Sequence, residues 1–241
     1  MSRSASIDQS EVDQFSAQAA GWWNPNGAMR PLHKLNPVRL GYIRDTVRAH
    51  FGVDQPRGLS VLDIGCGGGI LCEPLARLGL NVTGLDASPE AVTVARTHAL
   101  SGGLKISYVS GSAEKFARGK QKFDVITALE ILEHVADIDS LLQSAASMLK
   151  PGGILILSTV NRTAKSFLLG IVAAEYILRW VPRGTHDWRK FIKPSELAAH
   201  LRKAGMDVSD ITGMMFDPLN DTFRLKNGEA GVNYLMSATK I

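Results

Sequence analysis

Apolar residues are distributed along this chain in two different patterns. Up to about residue 57 they recur at loosely helical spacing. From Asp8 to Trp23 the apolar points are Val12, Phe15, Ala19, Trp22 and Trp23. After the turn signal Asn24-Pro25-Asn26-Gly27, a second helical stretch opens at Asn36-Pro37, with Val38, Leu40, Ile43 and Val47 as its apolar points. Beyond residue 58 short, nearly continuous apolar runs alternate with helical segments. Strands are predicted at 59–64, 81–85, 105–109, 123–129 and 154–159, and helices reach Leu78 and span 88–100, 137–149 and 194–204. Two further strands are predicted near 207–216 and 231–239. Apolar strands that alternate with helices imply a parallel sheet covered on both faces. The fold class is therefore α/β, a doubly wound, Rossmann-like and mostly parallel sheet of seven strands. Residues 1–14 read as a flexible arm and 15–241 as one domain. Within that domain, 15–57 form N-terminal helices and 160–193 an insert after the fifth strand.

The densest signal is Val61-Leu62-Asp63-Ile64-Gly65-Cys66-Gly67-Gly68-Gly69, between the first strand and its helix. Glycines there permit a sharp turn and close approach of a ligand to the backbone, at the sheet edge where α/β folds bind cofactors. Asp86 ends the second strand 21 residues after Gly65. A carboxylate at that point can accept hydrogen bonds from both ribose hydroxyls of an adenosine. A nicotinamide-dependent oxidoreductase uses the same device, but its fingerprint has a third glycine or alanine where this chain has Ile70.

A third cluster follows the fourth strand: Glu130-Ile131-Leu132-Glu133-His134. On a helical turn, Glu130, Glu133 and His134 would share one face. Two carboxylates and an imidazole suit either a general base or a divalent ion such as Mg²⁺, so these three are the candidate catalytic and metal-binding residues. A purely structural role is the alternative. His186 and Asp187 are candidates to orient a substrate, with a capping turn as the alternative. Cys66 reads as a small residue in the glycine turn, and Trp22 and Trp23 as packing residues.

Composition narrows the picture. The net charge of +4 is too small to argue for nucleic acid, and two cysteines are too few for a disulfide framework. No apolar run reaches the roughly 18 residues that a membrane span needs. The expected location is cytoplasmic. Residues 166–181, SFLLGIVAAEYILRWV, qualify it: they are apolar almost all round, with Glu175 and Arg179 as an i, i+4 pair and basic flanks. That pattern suits a helix lying in an anionic membrane surface, or a lid over the active site.

D-I-G-C-G-G-G, Asp86, Gly111-Ser112-Ala113-Glu114 and L-K-P-G-G before the fifth strand together resemble the class I S-adenosylmethionine-dependent methyltransferases. Trp22-Trp23, the stretch P-L-H-K-L-N-P-V-R-L-G-Y-I from Pro31, A-E-Y-I-L-R from Ala174, G-T-H-D from Gly184, F-I-K-P from Phe191, Asp221-Thr222-Phe223 and Val232-Asn233-Tyr234 resemble one branch, the ubiquinone biosynthesis O-methyltransferases. The resemblance implies S-adenosyl-L-methionine as methyl donor. It also implies cofactor contacts at Arg39, Gly65, Gly67, Asp86, Ser112, Ala113 and Leu129, with Arg39 on the cofactor's carboxylate. It implies a polyprenylated phenol or quinol as acceptor, with methylation of a hydroxylated polyprenylphenol and of 3-demethylubiquinol, and association with other enzymes of that pathway. Methylation of another small phenol is the nearest alternative.

Overall fold

The computed structural model describes residues 6–167 and 187–240. Eight strands form one sheet in the order β3-β2-β1-β4-β5-β8-β6-β7. They are β1 (Ser60–Ile64), β2 (Asn81–Asp86), β3 (Ser107–Ser110), β4 (Phe123–Leu129), β5 (Leu149–Val160), β6 (Met206–Asp217), β7 (Thr222–Asn227) and β8 (Asn233–Lys240). The first five run parallel, and β8, β6 and β7 add antiparallel pairings. The mostly parallel sheet is as expected, with one strand more. The addition is β7, TFRLKN, whose residues are half-buried or exposed. An edge strand covered on one side only lacks the continuous apolar run that marked the inner strands.

The helices are α1 (Gln9–Ala17), α2 (Arg30–Phe51), α3 (Cys72–Arg77), α4 (Pro89–Ser101), α5 (Ala113–Ala117), α6 (Ile138–Met148), the single turn α7 (Ala164–Ser166) and α8 (Pro194–Lys203). Alternate strand residues supply two cores. Val61, Val82, Val125, Ile154 and Ile156 pack toward α2, α3 and α4. Leu62, Ile126, Leu155 and Leu157 pack toward α6 and α8. Burial on both faces is why these strands read as unbroken apolar runs.

The N-terminal region departs from expectation in two places. Helix α2 begins seven residues before Pro37, with Pro31 in its first turn and Pro37 inside it. The segment expected as a flexible arm carries α1 from Gln9, N-capped by Asp8. Ahead of it the Ser6 N–H donates to Glu114 at 2.9 Å, and Ile7 bridges to Val135. Helix α1 buries none of its own residues and is held by polar pins. Glu11 takes hydrogen bonds from Lys190 (2.7 Å) and His134 (2.9 Å), and Ser16 donates to Ser88 (2.7 Å).

Between α1 and α2, Trp22 lies against the glycine turn. A Cβ on Gly67 or Gly68 would overlap the Trp22 ring, and Gly67 also has φ +51°. The Trp23 indole N–H donates to the Gly68 carbonyl at 2.9 Å, and its ring stacks on His98 at 3.6 Å. Asn36 closes the same joint with a 2.9 Å bond to the Ile70 carbonyl. The glycines therefore admit this chain's own tryptophan as well as any ligand. Gly68→Ala should destabilise the protein, and less so once Trp22 is truncated to alanine. A double-mutant cycle on urea unfolding should read a coupling of about 0.5–3 kcal/mol. Equal losses in both backgrounds would mean that Trp22 does not demand the glycine.

Candidate active site

The strand ends bearing Gly65, Asp86 and Leu129 open into a cavity of about 690 Å³. All seven expected cofactor contacts line it: Arg39, Gly65, Gly67, Asp86, Ser112, Ala113 and Leu129. So do Glu130, Glu133 and His134. Helices α1 and α2 and the segment between them roof it with Glu11, Phe15, Trp22 and Leu32 among other residues.

Asp86 is the best-defined polar group at the cofactor end. One carboxylate oxygen accepts the Gly67 N–H (2.8 Å) and the other the Ser88 N–H (2.8 Å). These bonds tie the ends of β1 and β2 and leave lone pairs for two hydroxyls. The α4 N-cap is Ser88, whose hydroxyl accepts the Ala91 N–H, so capping leaves Asp86 to the cavity. Burial raises the Asp86 pKa, and the Ser88 and Gly67 N–H groups oppose it. Deeper in, Asp63 is fully buried and takes hydrogen bonds from Thr127 (2.7 Å) and Cys72 (3.3 Å). Burial pushes its pKa up to about 6.

Arg39 projects from α2 with its side chain 6% exposed. One guanidinium nitrogen stands 3.0 Å from Glu130, while Nε has no hydrogen-bond partner. A buried guanidinium with an unspent donor fits a carboxylate ligand such as the methionine end of S-adenosylmethionine. With Asp86 for the ribose, the residues present fit that cofactor.

The three expected metal ligands are each committed elsewhere. Glu130 has φ +50°, outside the helical region. Its carboxylate meets Arg39 and accepts the Ser158 hydroxyl at 2.7 Å. Glu133 accepts the Thr159 hydroxyl at 2.8 Å. His134 bonds to Glu11 and takes the edge of Phe15 at 5.1 Å between centroids. Only Leu132–His134 is helical, as a 3₁₀ turn, so the i, i+3, i+4 face does not form. Among the described residues no three His, Cys, Asp or Glu side chains are gathered to hold a metal. These contacts do not gather the three side chains into a ready-made ion site, and each carboxylate keeps lone pairs beyond its hydroxyl bond.

Burial pushes the Glu133 pKa up to about 7, with the neighbouring Glu130 charge adding to it. A carboxylate that titrates near neutrality inside a cavity has the properties of a general base. The supporting hydroxyls of Ser158 and Thr159 were not singled out from the sequence, although two polar residues ending the apolar run ILIL were a signal. Asp187 caps the turn Trp188–Lys190 and pairs with Arg189, away from the cavity, so the capping alternative holds there. His186 and residues 168–181 of the apolar insert lie outside the described residues.

A methyltransferase-domain family model matches residues 37–210. Solved structures share the fold. A magnesium protoporphyrin IX methyltransferase from Synechocystis PCC 6803, with bound S-adenosylhomocysteine, superposes with a TM-score of 0.66 at 21% identity over 97% of this chain and 100% of its own. A methyltransferase from Thermotoga maritima gives 0.63 at 22% over 96% and 99%. Among curated proteins, the ubiquinone biosynthesis O-methyltransferase of a Chelativorans species is 52% identical over 99% of this chain and 96% of its own. The protein of that name from Cereibacter sphaeroides is 47% identical over 100% and 99%. With its glycine turn, its Asp86 and its cavity in the arrangement described, the chain belongs to the ubiquinone biosynthesis O-methyltransferase family of S-adenosylmethionine-dependent methyltransferases.

Proposed function

We propose that this chain transfers the methyl group of S-adenosylmethionine to a phenolic oxygen of quinone precursors, both a hydroxylated polyprenylphenol and 3-demethylubiquinol. One observation carries the reading: a single cavity joins a ribose-type carboxylate and a guanidinium to a buried base, Glu133, in a chain about half identical to its named relatives over nearly full length. The cofactor supplies the electrophilic methyl group, and the protein orients the acceptor and removes its proton. A phenol has a pKa near 10 and is a weak nucleophile at neutral pH. Glu133 accepts its proton as the oxygen attacks, and Thr159 fixes the carboxylate. Glu130, held by Arg39 and Ser158, couples the cofactor's carboxylate end to the acceptor end. Its left-handed backbone is the kind of local strain that functional loops retain.

The test is methyl transfer from labelled S-adenosylmethionine to a short-tailed demethylubiquinol. The base works ionised, so kcat/KM should rise with pH through about 7. Glu133→Gln should lower kcat by about 10²–10⁴ and remove that limb of the profile. Cofactor binding without transfer would contradict the acceptor assignment.

A quinone precursor with a polyprenyl tail resides in a bilayer, so the enzyme has to meet a membrane. Among the described residues no helix is long and apolar enough to cross one. The composition of 166–181 and its basic flanks support peripheral binding to an anionic lipid surface, with the other enzymes of the pathway as neighbours there. Anionic vesicles should sediment the protein at low salt and neutral vesicles should not; failure of both would remove this part of the reading.

A further inference from the structure

The cavity does not end at the methyl-transfer centre. Its lining crosses the strand ends in spatial order, from Glu130 after β4 through Val160 of β5 and Asn233 of β8 to β6 and β7. Three strand spacings separate β4 from β6, roughly 14 Å. At that far end the wall is apolar and has a definite construction. The pairing of β6 with β8 stops at Met214↔Asn233. The pairing of β6 with β7 continues three rungs further, through Met215↔Arg224, Phe216↔Phe223 and Asp217↔Thr222. The β6–β7 hairpin therefore extends past its β8 neighbour and stands against α2 as a wall of the cavity.

Phe216 and Phe223 face each other on this wall with ring centroids 5.2 Å apart, and both line the cavity half-buried. Leu32 and Met29 of the α2 segment line it from the opposite side. Asp221 at the hairpin tip pairs with Lys34, and with Arg30 at 3.9 Å, tying the wall to α2. An aromatic pair at the cavity margin, with Phe223 packed against the core and Lys34 over the Phe216 ring, presents apolar surface to a ligand.

We infer that this hairpin end is the subsite for the isoprenoid tail of the acceptor, with Phe216 and Phe223 as its specificity-determining residues. The inference rests on the quinone-precursor reading and deepens it. The cofactor fills the β1–β2 end, the phenol ring lies by Glu130 and Glu133, and the tail runs along Phe216 and Phe223.

The experiment compares kcat/KM for a prenylated catechol and for the same catechol without its tail. The wild-type enzyme should prefer the prenylated acceptor, chiefly through KM. Phe223→Ala and Phe216→Ala should each reduce that preference by about tenfold, the order expected when a buried aromatic contact is lost. Phe223→Leu should largely keep the preference. Leu225→Ala, on β7 outside the cavity, should leave the wild-type ratio unchanged. Calorimetric affinity for S-adenosylhomocysteine checks that each variant is folded. Transfer to both acceptors with equal kcat/KM in the wild type, or an unchanged ratio in folded Phe216 and Phe223 variants, would overturn the inference alone. Failure to methylate either acceptor would overturn the functional reading and the inference with it.

Discussion

The hydrogen bond from the Gly67 N–H to Asp86 joins the ends of two parallel strands, and the cavity is organised around it. It holds the glycine turn in a conformation that ordinary residues resist. It fixes Asp86 at the sheet edge, where a ribose can reach its remaining lone pairs. The same turn carries the aromatic roof. Trp22 rests on Gly67 and Gly68, and Trp23 and Asn36 bond to the carbonyls of Gly68 and Ile70. A side chain at Gly68 would thus disturb the N-terminal helices before any ligand arrived.

A second constraint sits two strands away. The polar residues that end β5, Ser158 and Thr159, each hold one glutamate from the turn after β4. The two carboxylates are neighbours in an apolar setting, so their environments diverge. Glu130 is paired with Arg39, whereas burial and the Glu130 charge push Glu133 toward neutrality against its bond from Thr159. On the proposed reading, that difference separates an anchoring carboxylate, Glu130, from the proton acceptor, Glu133. His134, also in the cavity lining, bonds to Glu11 of α1.

What the sequence disclosed follows from burial. Strands β1 to β5 are covered on both faces, so their apolar runs were legible, as were the glycine turn and Asp86, whose chemistry is local. The edge strand β7 was not legible, because Thr222, Arg224 and Lys226 face outward on a strand with no outer neighbour. The start of α2 was obscured by two prolines, of which Pro37 looked like the initiator and Pro31 occupies the first turn. The shared face of Glu130, Glu133 and His134 assumed helical spacing, and the positive φ of Glu130 breaks it. The hydroxyls beneath the glutamates and the rungs of the β6–β7 hairpin depend on which strands become neighbours, and spacing along one chain does not encode that directly.

The central claim is that Asp86 and Arg39 hold the two ends of S-adenosylmethionine in this cavity. Calorimetric titration of S-adenosylhomocysteine into the wild-type protein and into Asp86→Ala tests it most directly. The account predicts one site per chain in the wild type and at least about tenfold weaker binding in the variant, the equivalent of some 1.4 kcal/mol of lost hydrogen bonding. Equal affinity in the two proteins would contradict it.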